Sequence, residues 1–475
     1  MKGAPARFDR CILLLVDGAR GDVFRRLLEA GELPRSKALF ADRGGFRDGT
    51  SVMPTVSGPA HLPPITGCYP GRCNIPGIRW FDRKRYAESP WQPRRFRSYM
   101  GPNKVARMNR EVDAAVPSVW QSFPDGVGMN CWFTRGMQKG QDIASGAKYW
   151  GIVKAVVTRK WEARDAVVAR PVLDAVRSGK RFVFAVLPAV DELGHKLGPM
   201  ADETVEAYRT FDALLGPLTD AIAASGSLER TLVLVTSDHG QSTTHTHIDL
   251  AGHVRRVVPR VLDFPFPWPR LFDCDAVSVV SGNGLAHLSF RGPGGWAERP
   301  DVTKGPAAEV IGALLGQPFT ELLVHREEGR LRIRSHEGSA LLWREGDRLH
   351  YRPDGDDPLG LPPLPEAMSD DEALRLTAGT GHPDALVQLE QLFWSERCGD
   401  VVVTSRAGYD LRAHWEYQDH RGSHGGTSDE HMRVPILAST ALPDRPIRTV
   451  DLFPTLLAGL GRPIPGPIDG RSLLA

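Results

Sequence analysis

The chain has 475 residues, 41% hydrophobic and 24% charged, which excludes a disordered or fibrous protein and leaves room for two to three domains of roughly 150 residues. Its 59 Lys and Arg against 57 Asp and Glu leave a formal charge of +2. A nucleic acid polymer or an anionic membrane surface is therefore not expected as a partner, since both bind through a strong basic excess.

The first apolar run, Ile12 to Val16, ends at Asp17. It is shorter than the ~7–15 apolar residues of a secretory leader, and no run reaches the ~20 residues of a membrane span. Six cysteines (Cys11, Cys68, Cys73, Cys131, Cys274, Cys398) are scattered without a CxxC pair. That spacing suggests reduced thiols and a cytoplasmic protein. Phe182–Leu187, Thr231–Thr236 and Val401–Thr404 are further short runs rich in Val, Leu and Phe. Such runs suit strands of a parallel sheet buried on both faces. Between them, Val205, Tyr208, Phe211, Leu214 and Leu215 recur at helical spacing within 204–218.

The alternation predicts an α/β fold with a doubly wound, mostly parallel sheet. Two segments interrupt it. Residues 83–150 are rich in aromatics and cations, and 241–400 are rich in Pro and Gly, with alternating runs at Arg330–Arg334 and Ser339–Arg344. The expected organisation is a catalytic core over 1–240 that carries the first segment, an inserted α+β cap over 241–400, and the rest of the core over 401–475.

Ligands of open α/β sheets bind beyond the carboxyl ends of the strands. Three of the runs end in chemistry there: Asp17 after the first, Asp191 and His195 in DELGH after the second, Asp238 and His239 in SDHG after the third. Carboxylates and imidazoles without cysteine suit a divalent ion such as zinc or manganese. Before them lies MPTVSGPAHLPPITGCYPG, Met53 to Gly71, a Pro-rich turn that offers Ser57. A serine hydroxyl is a poor nucleophile until a metal or a base activates it, and the Asp and His clusters supply that activation.

The set VDG, the P-T-x-S-x-P-x-H loop running into TG, DxxGH, SDHG and a late GSHG with His424 resembles the alkaline phosphatase superfamily. Within it the type I phosphodiesterase/nucleotide pyrophosphatase branch is the most similar. The resemblance covers roughly 10–82, 180–240 and 415–475, and the stretch Val450 to Leu473 is similar to the closing helix and turn of these enzymes. It implies two divalent ions, zinc or alternatively manganese. Asp191, His195 and His424 would hold one; Asp17, Asp238 and His239, with Ser57 Oγ, would hold the other. Ser57 would form a phosphoseryl intermediate during hydrolysis of a small anionic phosphate ester, most simply a diester. A phosphomonoesterase or a phosphotransferase or mutase on the same core is the alternative.

Cys68-Tyr69-Pro70-Gly71-Arg72 imitates the sulfatase C-x-P-x-R pattern, but it follows Thr66-Gly67, whereas the nucleophile register falls on Ser57. One departure stands out. The nucleotide pyrophosphatases place an Asn donor immediately before the loop histidine, where this chain has Ala60. A donor to the phosphoryl oxygen must then come from backbone N–H groups, His61 or an inserted residue.

Fainter signals remain. His245 and His247 could share one face of a strand, aimed at substrate, or simply face solvent. His420 and His431 flank His424 and read as supporting residues more than ligands. Arg83, Arg94, Arg97, Lys104 and Arg107 alternate with Trp80, Trp91 and Tyr99. This belt is either a solvated face or a binding surface for an anionic or aromatic leaving group.

Overall fold

The computed structural model describes residues 6–89, 95–101, 104–143, 162–226, 228–264, 274–412 and 420–474. Seven strands form the main sheet, in spatial order Ile447–Arg448, Phe46–Thr50, Arg433–Ala438, Thr231–Thr236, Arg10–Val16, Phe182–Leu187 and Val127–Met129. Arg433–Ala438 runs against its neighbours and the other strands run parallel.

The apolar runs are continuous because both faces of this sheet are covered. Cys11, Leu13 and Leu15 point into one core with Phe182, Phe184 and Val186. Ile12, Leu14 and Val16 point into the other with Val183, Ala185 and Leu187. Period-two alternation of side chains thus leaves no polar face. The expected helix over 204–218 is the core of a longer one, Asp202–Ser225, whose Tyr208 and Phe211 pack into the second core.

A nine-stranded, mostly antiparallel sheet lies beyond it, formed from segments between Val261 and Met368 together with Val401–Ser405. The runs at Arg330–Arg334 and Ser339–Glu345 are strands of this sheet, as their alternation suggests. Val401–Ser405 is a strand, as expected, but it does not belong to the parallel sheet. It pairs antiparallel with Leu285–Phe290 and with Thr320–Glu327. Val402 faces one apolar cluster, Val401 and Val403 another. A strand buried on both faces reads the same in either kind of sheet, so hydropathy alone could not assign it. The late strand of the main sheet is Arg433–Ala438, and Leu452–Gly459 is the closing helix. Among the described residues, no helix is long and apolar enough to cross a membrane.

Candidate active site

Parallel register brings the strand ends to one edge: Val16 pairs with Leu187 and Leu15 with Thr236. Asp17, the helix Ala189–Leu197 and the Ser237–Gly240 turn therefore leave the sheet side by side. Gly18 makes the approach feasible. Its φ is +75°, and a Cβ there would lie 2.7 Å from the Asp191 Cα. Its N–H donates to Asp238 Oδ1 at 3.2 Å, fixing the carboxylate so that Oδ2 faces the cluster.

Asp191 and His195 stand one turn apart on the helix, with Oδ1 and Nε2 separated by 3.4 Å. His424 arrives from a distant loop and places its Nε2 3.0 Å from that of His195. Ser57 Oγ lies 3.2 Å from Asp17 Oδ1 and 3.1 Å from His239 Nε2, which is itself 3.2 Å from Asp238 Oδ2. All seven residues singled out in the sequence thus gather at this edge. Thr55, two residues before Ser57, turns away: its hydroxyl donates to Gly426 O at 2.8 Å and accepts from Gly425 N–H at 3.0 Å.

Hydrogen bonds assign the imidazole tautomers. His195 Nδ1 faces Gly422 O at 2.8 Å, His424 Nδ1 faces Thr55 O at 2.7 Å, and His239 Nδ1 faces Gly240 O at 3.1 Å. A carbonyl only accepts, so each Nδ1 carries a proton, which in the neutral ring leaves the Nε2 lone pair to face the cluster. Metal-binding histidines are oriented in this way. Two lone pairs facing each other at 3.0 Å repel unless a cation lies between them.

Electrostatics gives the same answer. Burial, then the charges of Asp238 and Asp191, push the Asp17 carboxyl up to about 6. Burial, with His239 and His195 close by, holds His424 well below the ordinary imidazole range. Burial would raise Asp238, but His239 and His61 outweigh it and hold this carboxyl below its usual range. Among the described residues, three groupings could hold an ion: Asp191, His195 and His424; Asp17, Asp191 and His239; and Asp17, His61 and Asp238. The donor set of carboxylates and imidazole Nε2 atoms fits divalent metal ions.

Sequence reasoning missed two participants, Gln241 and Asn283, and named His61 only as a possible phosphoryl donor. His61 is buried with Nε2 3.3 Å from Asp17 Oδ2 and 3.0 Å from Asp238 Oδ2. Burial would lower it, but the charge of Asp238 and the closeness of both carboxylates raise it to about 9. The loop motif placed His61 nearby but did not say which way its ring points. Gln241 donates from Nε2 to Asp191 O at 3.0 Å and to Asp191 Oδ1 at 2.5 Å, steadying that carboxylate. Its place directly after SDHG was the available signal.

Asn283 comes from the second sheet. Ala276–Val280 and Leu285–Phe290 pair as a hairpin whose tip has Gly282 at φ +81° and Asn283 at φ +61°, the backbone of a tight hairpin turn. A Cβ on Gly282 would sit 2.3 Å from Val56 Cγ2. The tip thus rests against the residue before Ser57, and Gly284 N–H donates to His424 O at 2.9 Å.

The fainter candidates separate. His245 is exposed, whereas His247 Nδ1 lies 3.7 Å from Asp410 Oδ2. His431 accepts from Gly426 N–H at Nδ1 and pairs through Nε2 with Ser242 Oγ at 2.9 Å, a supporting position without lone pairs toward the ligand cluster. Within the aromatic-basic belt, Arg83 pairs with Asp400, Arg97 with Glu111 at 3.0 Å, and Arg107 donates to Ser98 O at 2.7 Å. Lys104 Nζ stacks 3.5 Å from the centre of the Trp132 ring, which in turn meets His61 edge-on at 5.6 Å. Trp91 and Arg94 lie outside the described residues.

Comparison with known proteins agrees with this geometry. The type I phosphodiesterase/nucleotide pyrophosphatase family matches residues 11–427. Phosphonoacetate hydrolase from Sinorhizobium meliloti 1021, in complexes with phosphonoformate and with phosphonoacetate, is similar over 97% of both chains, with TM-score 0.57 and 16% identity. Human ectonucleotide pyrophosphatase/phosphodiesterase 5 is similar over 97% of both chains, with TM-score 0.54 and 13% identity. No curated protein matches the sequence. At these identities the structural likenesses carry the fold, and the family match carries the class.

Proposed function

Because the chain belongs to the type I phosphodiesterase/nucleotide pyrophosphatase family and is a phosphoric ester hydrolase, we propose that it cleaves small phosphodiesters through a covalent phosphoseryl step on Ser57. One observation carries this reading: Ser57 Oγ stands 3.1 Å from His239 Nε2 and 3.2 Å from Asp17 Oδ1, while the Thr55 hydroxyl is committed to backbone.

Asp191, His195 and His424 would hold one divalent ion; Asp17, Asp238 and His239, with Ser57 Oγ, would hold the second. Zinc suits the three imidazole nitrogens better than manganese does. When bound, such ions supply Lewis acidity that lowers the serine pKa and offsets phosphoryl charge. The chain does the rest. Asp17 Oδ1 accepts a hydrogen bond from the Ser57 hydroxyl and orients it; Oγ forms the new P–O bond as its proton passes to Asp17, and the ester oxygen opposite departs as the alcohol, taking a proton from water. Water next attacks the phosphoseryl phosphorus, and Ser57 Oγ leaves in its turn. Backbone bonds to Nδ1 of His195, His239 and His424 keep the rings from rotating between the two steps.

The preference for diesters is a matter of charge. A monoester dianion has three non-bridging oxygens to neutralise, yet SGPAHLPPITG, Ser57 to Gly67, contains no Arg or Lys. The six buried cysteines, scattered without a CxxC pair, suit a reducing, cytoplasmic setting. Acid-quenched intact mass spectrometry during turnover tests the central step. A phosphoryl adduct on the Ser57 peptide is expected, and its absence at every quench time overturns the covalent route. Phosphate release to water against transfer to glycerol separates hydrolase from phosphotransferase.

A further inference from the structure

The Ala60 position lacks a donor to the phosphoryl oxygen; the fold offers a donor from another quarter. Asn283 Nδ2 lies 2.7 Å from Asp410 Oδ2 and 2.5 Å from His420 Nδ1. Asp410 is an acceptor at both oxygens, Oδ1 taking the Arg412 N–H at 2.8 Å. The amide nitrogen of Asn283, not its oxygen, must therefore face this pair. Its two hydrogens serve the carboxylate and the imidazole together, which leaves His420 Nδ1 as an acceptor. A neutral imidazole that accepts at Nδ1 carries its proton on Nε2. This is the opposite tautomer to that of His195, His239 and His424, each of which donates from Nδ1 to a carbonyl.

His420 is thus built as a donor rather than a ligand, and its position matches. Its ring centre lies 4.6 Å from that of His195, tilted by 36°. Its side chain keeps 22% of its exposure, so a bound ester can reach it. The hairpin tip that holds Asn283 is anchored to the catalytic loop at Val56 and to His424. One turn of the second sheet therefore fixes the nucleophile loop, a ligand and this donor at once.

We propose that His420, locked as its Nε2–H tautomer by Asn283 and Asp410, donates a hydrogen bond to the phosphoryl group bound beside Asp191, His195 and His424. The proposal rests on the reading of this edge as a phosphoryl-transfer site. Asn283 is then a positioning residue, and His420 is the residue that touches substrate.

The test compares metal-loaded wild type with His420→Phe and His420→Gln. Bound metal is measured by mass spectrometry, and affinity for inorganic phosphate by calorimetry. His420→Phe is expected to keep the full metal content and to bind phosphate about 10- to 100-fold more weakly, the usual loss for one donor to a charged group. His420→Gln, whose amide N–H can replace Nε2–H, is expected within about 3-fold of wild type on the same scale. Loss of a metal equivalent in His420→Phe would make His420 a ligand and overturn the proposal. Unchanged phosphate affinity in His420→Phe, or equal damage in both variants, overturns it as well. Should the loaded wild type itself fail to bind phosphate, the phosphoryl-transfer reading falls with it.

Discussion

At one end of the catalytic edge, the side chains of Asp191, His195 and His424 keep 14%, 20% and 6% of their exposure; at the other, those of Asp17, Asp238 and His239 keep 8%, 0% and 0%, beside His61 at 1%. Both groups combine carboxylate with imidazole, so donor chemistry does not distinguish them. Water does. The outer group sits on a helix and a loop where solvent can share its charge. The inner group leaves the strand ends directly, and its carboxylates meet the Gly18 N–H, the Ser57 hydroxyl and the rings of His61 and His239 rather than water. Uncompensated charge costs far more where water is excluded, as the rise of Asp17 to about 6 records. Equivalent donor sets should therefore differ in how firmly they hold an ion and in how much of the fold depends on it.

The largest effect expected is on chemistry. Ser57→Ala should lose at least ~10³-fold in kcat while keeping its metals, since covalent catalysis and alkoxide placement vanish together. Thr55→Ala should cost far less. A dead Thr55 variant beside a nearly normal Ser57→Ala would move the nucleophile out of the inner group and break the comparison.

Graded chelation probes the difference itself. The outer ion should leave first and take most of the turnover, with a modest fall in Tm. The inner ion should leave later with a larger fall, because binding to the native state alone stabilises it. Metal content and calorimetry at each chelator concentration provide the check. Full activity after both ions are removed would end the two-ion account.

Acid sensitivity sharpens the comparison once the fold's own share is subtracted. His287 lies in the second sheet, accepts from Gly399 N–H and donates to Pro76 O at 3.0 Å. Burial lowers it from 6.5 to about 4. Below pH 6.5 the unfolded chain binds a proton that the folded one refuses, so stability is present at neutral pH and lost as pH falls from about 6.5 toward about 4. The loss is at most about 3 kcal/mol. Denaturant unfolding of metal-free protein at about pH 7 and about pH 4.5 should show it, and His287→Gln should flatten it. An equally steep loss in the variant assigns the sensitivity elsewhere.

The smallest effect is the preference among substrates. Matched p-nitrophenyl diester and monoester should differ by about 10-fold in kcat/KM in favour of the diester, about 1.4 kcal/mol. A monoester lead would mean that a cation near the mouth, with Lys104 beside Trp132 the first to test, reaches the phosphoryl group.

Much of this arrangement was legible in the sequence because it is local. A buried strand announces itself by a short apolar run, and the residues that leave its carboxyl end come next in the chain; hence Asp17, Asp191 and Asp238. A helical i,i+4 step put His195 beside Asp191, and the loop motif singled out Ser57. Contacts between chain neighbours are set by local geometry, so the order of residues is enough to read them.

Tertiary structure decided whatever depends on segments far apart. It gave Val401–Ser405 to the second sheet, because a strand covered on both faces carries the same hydropathy in either sheet. It placed Asn283 beside His420 across 137 residues, and Ser57 beside His239 across 182. It also chose the tautomers: which nitrogen of a histidine keeps its proton depends on the carbonyl or amide that folding brings to the other one. Strand-end spacing and the family resemblance pointed to the candidate ligands, but only the packed backbone turned their Nε2 atoms inward and turned the Nδ1 of His420 toward Asn283.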